Sequence, residues 1–575
     1  MHSTRLGVAT RKRGSTKEFT RARDFLLKYR KDYDIASAGF FWPKLTRFNW
    51  ALDWFDQIAK GTRGDHPALW VINEDGGETK LSFRELAERS SRIANYLRTL
   101  GMKRGDSLLL MLGNIPQLWE VMLAAMKLGA VVIPTTTLLT GDDIGDRIAR
   151  GGVSYIISTA EHVGKFEPFR STCTRIVVGQ PVSGWRNYDA GYKAPAKFEP
   201  HGETFADDPL QLYFTSGTTT KPKLVMHTHT SYPVGHLSTM YWLGLEPDDV
   251  HCNLSSPGWA KHSWSCFFAP WNAEATVFVL NQQRFNARGL LNAMERCGVT
   301  SFCAPPTVWR MLIKENLESW KVTLRAAASA GEPLNPEVID RVREAWGLTI
   351  RDGYGQTETT AQIGNPPGQL LKVGSMGRPL PGYRIVLMDA NDCEAEEGEV
   401  SICLDPRPIG LMPGYYTDDG TILPIAGPVY RTGDIASRDG DGYLTFIGRT
   451  DDVFKSSDYR ISPFELESAL IRHPDVLECA VVPAPDPIRL SVPKAYILLR
   501  SGVEPSRHVA LSIFEHIRIV LAGYKRVRRI EFVDLPKTIS GKIRRVELRR
   551  SESVHADRGT RPESEYRMDE FPELG

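Results

Sequence analysis

Apolar positions along the chain follow two rhythms. Behind Ser82-Phe-Arg-Glu85, a capping box, Phe83, Leu86, Ile93 and Leu97 recur at helical spacing, which predicts an amphipathic helix. That helix feeds Ser107-Leu-Leu-Leu-Met-Leu112, an apolar run without alternation, as a strand buried on both faces requires. Similar runs follow at Val131-Val-Ile133, Tyr155-Ile-Ile157, Ile176-Val-Val178 and Ala275-Thr-Val-Phe-Val279. Helix and strand signals alternate through most of the chain, which predicts α/β layering with crossover connections.

From about Gly382 the texture changes. Short strands such as Arg384-Ile-Val-Leu-Met388 and Gly398-Glu-Val-Ser-Ile402 lie between Gly, Pro and Asp turns, predicting a β-rich subdomain. After Arg449-Thr-Asp-Asp452 a compact strand, helix and strand pattern restarts, its helix opened by Ser462-Pro-Phe-Glu465 with proline at the first helical position. The expected organisation is a lead-in over 1–47, a large domain over 48–450, a small domain over 451–550 and a flexible tail over 551–575.

Composition narrows the function. At 575 residues with 42% hydrophobic and 24% charged residues, the chain is an ordinary globular protein of at least two domains. Its net charge of +2 argues against a nucleic-acid-binding protein. Eight scattered cysteines without a C-x-x-C suggest neither zinc ribbon nor disulfide scaffold and fit a reducing compartment, the cytoplasm. No apolar run approaches the roughly 20 residues of a membrane span. Residues 1–31 hold ten Lys or Arg against two acids. A transit peptide shares that composition, but a solvated basic lead-in is the plainer reading, because Asp24-Phe-Leu-Leu already looks helical.

The chemistry concentrates in a few segments. Tyr213-Phe-Thr215-Ser216-Gly217-Thr218-Thr219-Thr220-Lys221-Pro-Lys223 follows a strand and offers backbone N–H groups, hydroxyls and two ammonium groups to phosphate oxygens. It is not a Walker loop, and taken alone an ordinary Ser/Thr-rich surface turn fits it equally well. Asp352-Gly-Tyr354-Gly355-Gln-Thr357-Glu358 gathers a flat aromatic, a hydroxyl and carboxylates, suited to a purine, a phosphate and Mg²⁺. Asp434 in Tyr430-Arg-Thr-Gly-Asp434 suits ribose hydroxyls, and Arg449 in Phe446-Ile-Gly-Arg449 suits phosphate. Pro536-Lys-Thr-Ile-Ser-Gly-Lys542 sets a lysine after a glycine on a loop. His227-Thr-His229 lacks a third metal ligand at a convincing spacing and reads as the loop running into the next helix.

Together, in this order, these segments resemble the adenylate-forming superfamily of acyl-CoA synthetases, peptide-synthetase adenylation domains and luciferases, from Phe48 to about Arg550. Pro257-Gly-Trp-Ala-Lys-His-Ser-Trp264, Phe268-Ala-Pro-Trp271 and the Gly-Gln-Thr-Glu-Thr form of the central motif look most like the medium-chain and aryl acyl-CoA synthetases. The resemblance implies an α/β and β fold. A large N-terminal unit of two α/β subdomains plus a β-rich subdomain would precede a small, mobile α+β C-terminal domain. It also implies an AMP-forming acid–CoA ligase that uses ATP, CoA and Mg²⁺ on a hydrophobic acid, with a homodimer and a separate adenylating enzyme left open as partners.

Carried over residue by residue, Lys542 bridges the acid and the α-phosphate, Thr357 contacts phosphate, and Glu358 and Thr218 hold Mg²⁺. Tyr354 packs on adenine, Gly331, Glu332 and Pro333 line its pocket with Asp352, and Asp434 anchors the ribose. Thr215, Ser216, Gly217, Thr219, Lys223 and Arg449 complete the nucleotide site. Asp451 is the hinge, and Lys455, Ser457, Asp458, Tyr459 and Arg460 serve the CoA step. Trp259, His262, Trp264 and Gly355 shape the acyl pocket. The absence of an acid between His251 and Trp264 makes an amino-acid substrate less favoured.

Three positions depart from the family pattern: Thr220 and Leu224 stand where the phosphate loop carries glycine or methionine, and Asp458 replaces a glycine. A Cβ in the loop would restrict close approach to phosphate. One alternative is therefore an enzyme that only transfers the acyl group from preformed acyl-AMP to CoA, and another is a non-catalytic nucleotide-binding homologue. Tolerated drift with both steps intact is the plainer account.

Overall fold

The computed structural model describes residues 2–215, 222–332, 334, 336–456, 459–486, 490–538 and 542–574, with side chains from Gly14 onward except those of 459, 460 and 490. Its packing separates Met1–Arg384 with Cys403–Tyr430 from Ile385–Ile402 with Arg431–Gly575.

The first unit is built on two nine-stranded sheets. In one, the strands Arg351–Tyr354, Ala326–Ala330, Ser301–Ala304, Val250–Asn253, Thr276–Asn281 and Pro67–Asn73 run parallel in that spatial order, with short antiparallel strands at the edges. In the other, Val131–Pro134, Ser107–Met111, Val153–Thr159 and Thr174–Val178 are parallel neighbours, and Pro209–Thr215 pairs antiparallel with Lys223–Thr228. The unbroken apolar runs are the buried strands, as expected of parallel sheets covered on both faces. The helix Phe83–Thr99 starts with the full reciprocal box between Ser82 and Glu85.

The second unit holds the antiparallel sheet of Ile385–Met388, Glu397–Cys403, Val429–Arg438 and Leu444–Arg449, then a mixed sheet of Val476–Asp486, Leu490–Leu499, Arg529–Phe532 and Glu565–Arg567. The helices Pro463–Leu470 and Arg507–Val520 contribute to its core. Its grouping differs from the division expected at residue 450, because the antiparallel sheet packs with the later chain. The Ser462 hydroxyl donates to the Ile447 carbonyl, and the Phe446 and Phe464 rings lie 6.0 Å apart. Ser462 also caps its helix by accepting from the Glu465 N–H, while the Glu465 carboxylate turns to Lys525 at 2.6 Å instead of closing the box.

Both termini correct the sequence reading. The lead-in is not solvated: the helix His2–Lys28 buries Phe19 and Leu26, and Arg23 reaches Glu274 at 2.8 Å. The expected flexible tail is folded. The helix Arg545–Arg558 continues past residue 550, Glu565–Arg567 pairs with Arg529–Phe532, and Phe571 and Leu574 enter the core. Charge composition hid this, because the tail docks partly through ions. Lys494 Nζ, fully buried, meets Glu531 at 2.7 Å and Glu552 and Glu565 at 2.6 Å each. Breaking one side of such a cluster leaves buried charge uncompensated.

Phe571 is 3% exposed, 5.3 Å from the Phe514 ring. Phe571→Ala should cost about 3–5 kcal/mol. Hydrogen exchange should show faster opening of Arg529–Phe532 and Glu565–Arg567, and unchanged protection there would refute the docking.

Candidate active site

In the first unit the chemistry gathers at the carboxyl end of the strand Arg351–Tyr354 and at the hairpin Pro209–Thr215/Lys223–Thr228, the kind of crevice where α/β sheets bind ligands. Thr215 faces Lys223 across the hairpin, and its hydroxyl donates to the Lys223 carbonyl at 3.4 Å. Ser216, Gly217, Thr218, Thr219, Thr220 and Lys221 lie outside the described residues.

The turn that carries Thr357 and Glu358 is held from several directions. Gln356 N–H donates to Thr359 Oγ1 at 2.9 Å, Met412 N–H to the Glu358 carbonyl at 2.9 Å, and Thr360 N–H to the Gly410 carbonyl at 2.9 Å. The buried Thr360 hydroxyl is engaged by Tyr383, Ser238 and the Gly235 carbonyl. Tyr415, on a strand paired with Lys223–Thr228, donates to Glu358 Oε1 at 3.0 Å, and Lys223 Nζ lies 5.0 Å from the Tyr415 ring. Among the described residues Glu358 Oε2 has no protein partner. A carboxylate braced at one oxygen is a hard donor suited to Mg²⁺.

Tyr354 is half-buried at the end of its strand. Asp352 Oδ1 accepts from Gly353 N–H at 2.9 Å, and burial pushes its carboxyl up to about 7 against the pull of Lys261. Gly331 has φ +109° with open space around it, a backbone that glycine tolerates. Glu332 lies 3.9 Å from Arg310, and Pro333 is outside the described residues.

The expected acyl residues divide. Trp264 and Gly355 meet: a Cβ built on Gly355 would lie 2.4 Å from Trp264 Cη2 and 2.5 Å from the Thr360 carbonyl oxygen. The Trp264 indole N–H donates to the Tyr232 hydroxyl at 3.1 Å. His262 turns elsewhere, its Nε2 3.2 Å from Asn114 Oδ1 and its ring 5.6 Å from Trp119; burial pushes it down to about 3 and keeps it neutral. Half-buried Trp259 follows Gly258, whose φ of +98° and close approach to Thr136 exclude a side chain.

Two sequence readings change. Leu224 is a core residue: it is 1% exposed on the strand Lys223–Thr228, and its side chain packs in the core. His227-Thr-His229 is not all loop: His227 and Thr228 end that same strand, and a turn over 229–235 then leads into the helix His236–Leu243. Sequence reasoning also missed Tyr415, Gln356 and Tyr430, whose hydroxyl reaches Gln356 Oε1 at 3.3 Å. Tyr415 stands far from the motif it serves, and only strand pairing joins them.

In the second unit, Asp434 is 5% exposed and meets Arg449 Nη1 at 3.2 Å, while Arg449 Nε meets Asp451 at 3.4 Å. Gly433, just before Asp434, has φ +75°, and its N–H donates to Glu399 at 2.8 Å. Lys455 is exposed, and its backbone pairs with Arg460; Ser457 and Asp458 lie outside the described residues, as do the side chains of Tyr459 and Arg460. Lys542 is exposed, and Thr538 N–H donates to its carbonyl at 2.8 Å. Glu531, Glu552 and Glu565 are close enough to hold a cation, but Lys494 already occupies their centre.

These features define an adenylate-forming enzyme. The AMP-binding enzyme family model matches residues 55–416 and its C-terminal domain model residues 465–542, and the chain belongs to this family. It is 44% identical over 532 residues to 4-hydroxybutyrate–CoA ligase 1 of Metallosphaera sedula, covering 91% of this chain and 94% of that one. It is 39% identical over 527 residues to the mitochondrial acyl-coenzyme A synthetase ACSM3 of Mus musculus, covering 88% and 91%. Among solved structures, the anthranilate CoA ligase AuaEII with anthranoyl-AMP superposes with a TM-score of 0.81 at 28% identity, covering 89% of this chain and 98% of that one. A benzoate CoA ligase from Burkholderia xenovorans LB400 gives 0.75 at 29%, covering 87% and 100%. No described helix is long and apolar enough to cross a membrane, and all eight cysteines are free thiols.

Gly355→Ala should cost about 1–3 kcal/mol through overpacking against Trp264, read as a lowered melting temperature together with a raised KM for the acid. An unchanged KM would separate Gly355 from the acyl site. Asp352 supplies a pH signature. Between its ordinary value near 3.8 and about 7 the unfolded chain releases a proton that the folded chain keeps, so this group's contribution to stability falls as pH rises through that window. Asp352→Asn should flatten the decline in urea midpoint between pH 4 and 7, and an identical pH profile would refute the shift.

Proposed function

We propose that the protein converts a small hydrophobic carboxylic acid to its CoA thioester through acyl-AMP, with Mg²⁺ as the resident ion. In the first half-reaction a carboxylate oxygen attacks the α-phosphorus of ATP, and the bond from that phosphorus to pyrophosphate breaks. In the second, the CoA sulfur attacks the acyl carbon, its proton passes to solvent, and the carbon–oxygen bond to AMP breaks. The observation that carries this reading is the Thr357–Glu358 turn, pinned beside Lys223 and Tyr415, in a chain of the AMP-binding enzyme family.

The approach of a carboxylate to an α-phosphate meets repulsion of about 4 kcal/mol at ~4 Å in an effective dielectric near 20. Lys542 offsets it by bridging the two anions, and Lys223 draws the phosphates toward the hairpin. Mg²⁺ held by Glu358, with Thr218, would neutralise phosphate charge. Tyr354 packs on adenine beside Gly331 and Glu332, and Asp434 takes the ribose hydroxyls. Arg449 spans Asp434 and Asp451, so it positions the ribose anchor in addition to meeting phosphate.

The small domain is proposed to begin near Asp451 and to pivot there, exchanging the Lys542 loop for the segment Lys455–Arg460 between half-reactions. Such a swing suits a site that needs two constellations in turn. A small acid is favoured because the Trp264 indole fills the space next to Gly355. An acid tail without an amine is favoured because no acidic residue lies between His251 and Trp264 to hold one. The 4-hydroxybutyrate and benzoate handled by the relatives are the first acids to try. The free, mostly buried thiols support the cytoplasm as its compartment.

Supplied with ATP, Mg²⁺, CoA and a panel of short and aryl acids, the protein should release AMP and pyrophosphate and form thioester; no thioester from any acid, free or adenylated, would end this reading. Lys542→Ala should slow acyl-AMP formation at least about 100-fold, while transfer from synthetic acyl-AMP to CoA stays within about threefold. Equal loss of both steps would show that Lys542 acts elsewhere.

A further inference from the structure

The reaction scheme above leaves His227, the first residue of the His-Thr-His segment, without a task. Its ring is fully buried on the strand Lys223–Thr228. Nε2 lies 2.7 Å from the carbonyl oxygen of Thr357, 130 residues later in the chain. A carbonyl can only accept, so Nε2 carries the proton. Nδ1 then accepts, and its donor is the Ser231 hydroxyl at 3.0 Å. That hydroxyl is itself fixed, since its oxygen also accepts from Thr228 N–H at 2.8 Å.

The ring plane is set as firmly as the proton. His227 stacks on Tyr232 with centroids 3.7 Å apart and planes 21° from parallel, and the Tyr232 hydroxyl takes the Trp264 indole N–H. Burial pushes the imidazole down to about 3, which keeps the ring in this neutral form.

The consequence falls on Glu358. The peptide planes on its two sides are both held: the plane before it by His227 at the Thr357 carbonyl, the plane after it by Met412 N–H at the Glu358 carbonyl and by Thr359 N–H, which donates to the Gln356 carbonyl at 3.2 Å. With both planes fixed, the Glu358 side chain leaves the turn in the direction that meets Tyr415. Rotation of the first plane would swing the Thr357 carbonyl and the Glu358 N–H together and re-aim the carboxylate.

We infer that His227 is a positioning residue for acyl-AMP formation: its Nε2–H holds the Thr357–Glu358 peptide in the orientation that presents Glu358 to the phosphates and their metal. This rests on the function proposed above, because it matters only if Glu358 serves the first half-reaction. Position 227 therefore requires a donor at that point, not merely a ring that fills the core.

The test separates the donor from the ring. His227→Phe keeps a ring to lie on Tyr232 and loses the proton, whereas His227→Gln keeps an N–H donor. His227→Phe should lower kcat for acid-dependent pyrophosphate exchange about tenfold, a barrier change of about 1.4 kcal/mol. Transfer from synthetic acyl-AMP to CoA should stay within about twofold, and His227→Gln should recover most of the exchange rate. Retained transfer also reports that the variant is folded. Exchange at the wild-type rate in His227→Phe, or equal loss in both half-reactions with no recovery in His227→Gln, would overturn the inference. If neither variant folds, Ser231→Ala, which removes the partner of Nδ1 together with the acceptor of Thr228 N–H and leaves the imidazole in place, should show the same split at smaller size, and an even loss there would overturn it. Wild-type protein that forms no thioester from either starting point would instead refute the proposed function, so the two failures are distinguishable.

Discussion

The active segment depends on one close approach between an indole and a glycine backbone. Trp242 lies where the β-carbons of Gly353 and Gly364 would be: a Cβ on Gly353 would come within 2.1 Å of the ring, and one on Gly364 within 2.6 Å. Its indole N–H donates to the Asp352 carbonyl at 3.0 Å. The strand Arg351–Tyr354 is thereby set against a rigid, fully buried side chain, and the residues from Gly355 to Glu358 leave it from a fixed end. The tyrosine, hydroxyl and carboxylate chemistry inherits its placement from that contact.

Around this fixed end the supporting bonds come from remote parts of the same unit. Tyr415 and Met412 belong to the chain after residue 402, Tyr383 to the segment before it, and His227 to the hairpin. Each is a single neutral or ion–dipole hydrogen bond of modest net worth, roughly 1 kcal/mol. Their value lies in acting on one short turn, where each removes a different rotation.

Much of the fold was legible because buried strands announce themselves. The runs at Ser107, Val131, Tyr155 and Ile176 are all strands of one sheet, since a strand covered on both faces has no polar positions to confuse the pattern. The motif Asp352–Glu358 was legible for a similar reason: its chemistry is continuous in sequence. What could not be read is what assembles across the chain. Nothing near Tyr415 marks it as the partner of Glu358, and Leu224 looked like a loop residue until pairing with Phe214 placed it in a strand. The C-terminal segment misled through composition, because its Glu and Arg residues resemble solvated charges and in fact satisfy one another and Lys494.

The Lys494 cluster has a consequence for synthesis. The lysine leaves the ribosome 71 residues ahead of Glu565, whose carboxylate helps to neutralise it. Until then only Glu531 and Glu552 are at hand to neutralise the ammonium, and the buried cluster is one carboxylate short. The cluster is therefore complete only after translation has passed Glu565, and a nascent chain stalled before that codon would leave the strand Arg529–Phe532 without its partner Glu565–Arg567.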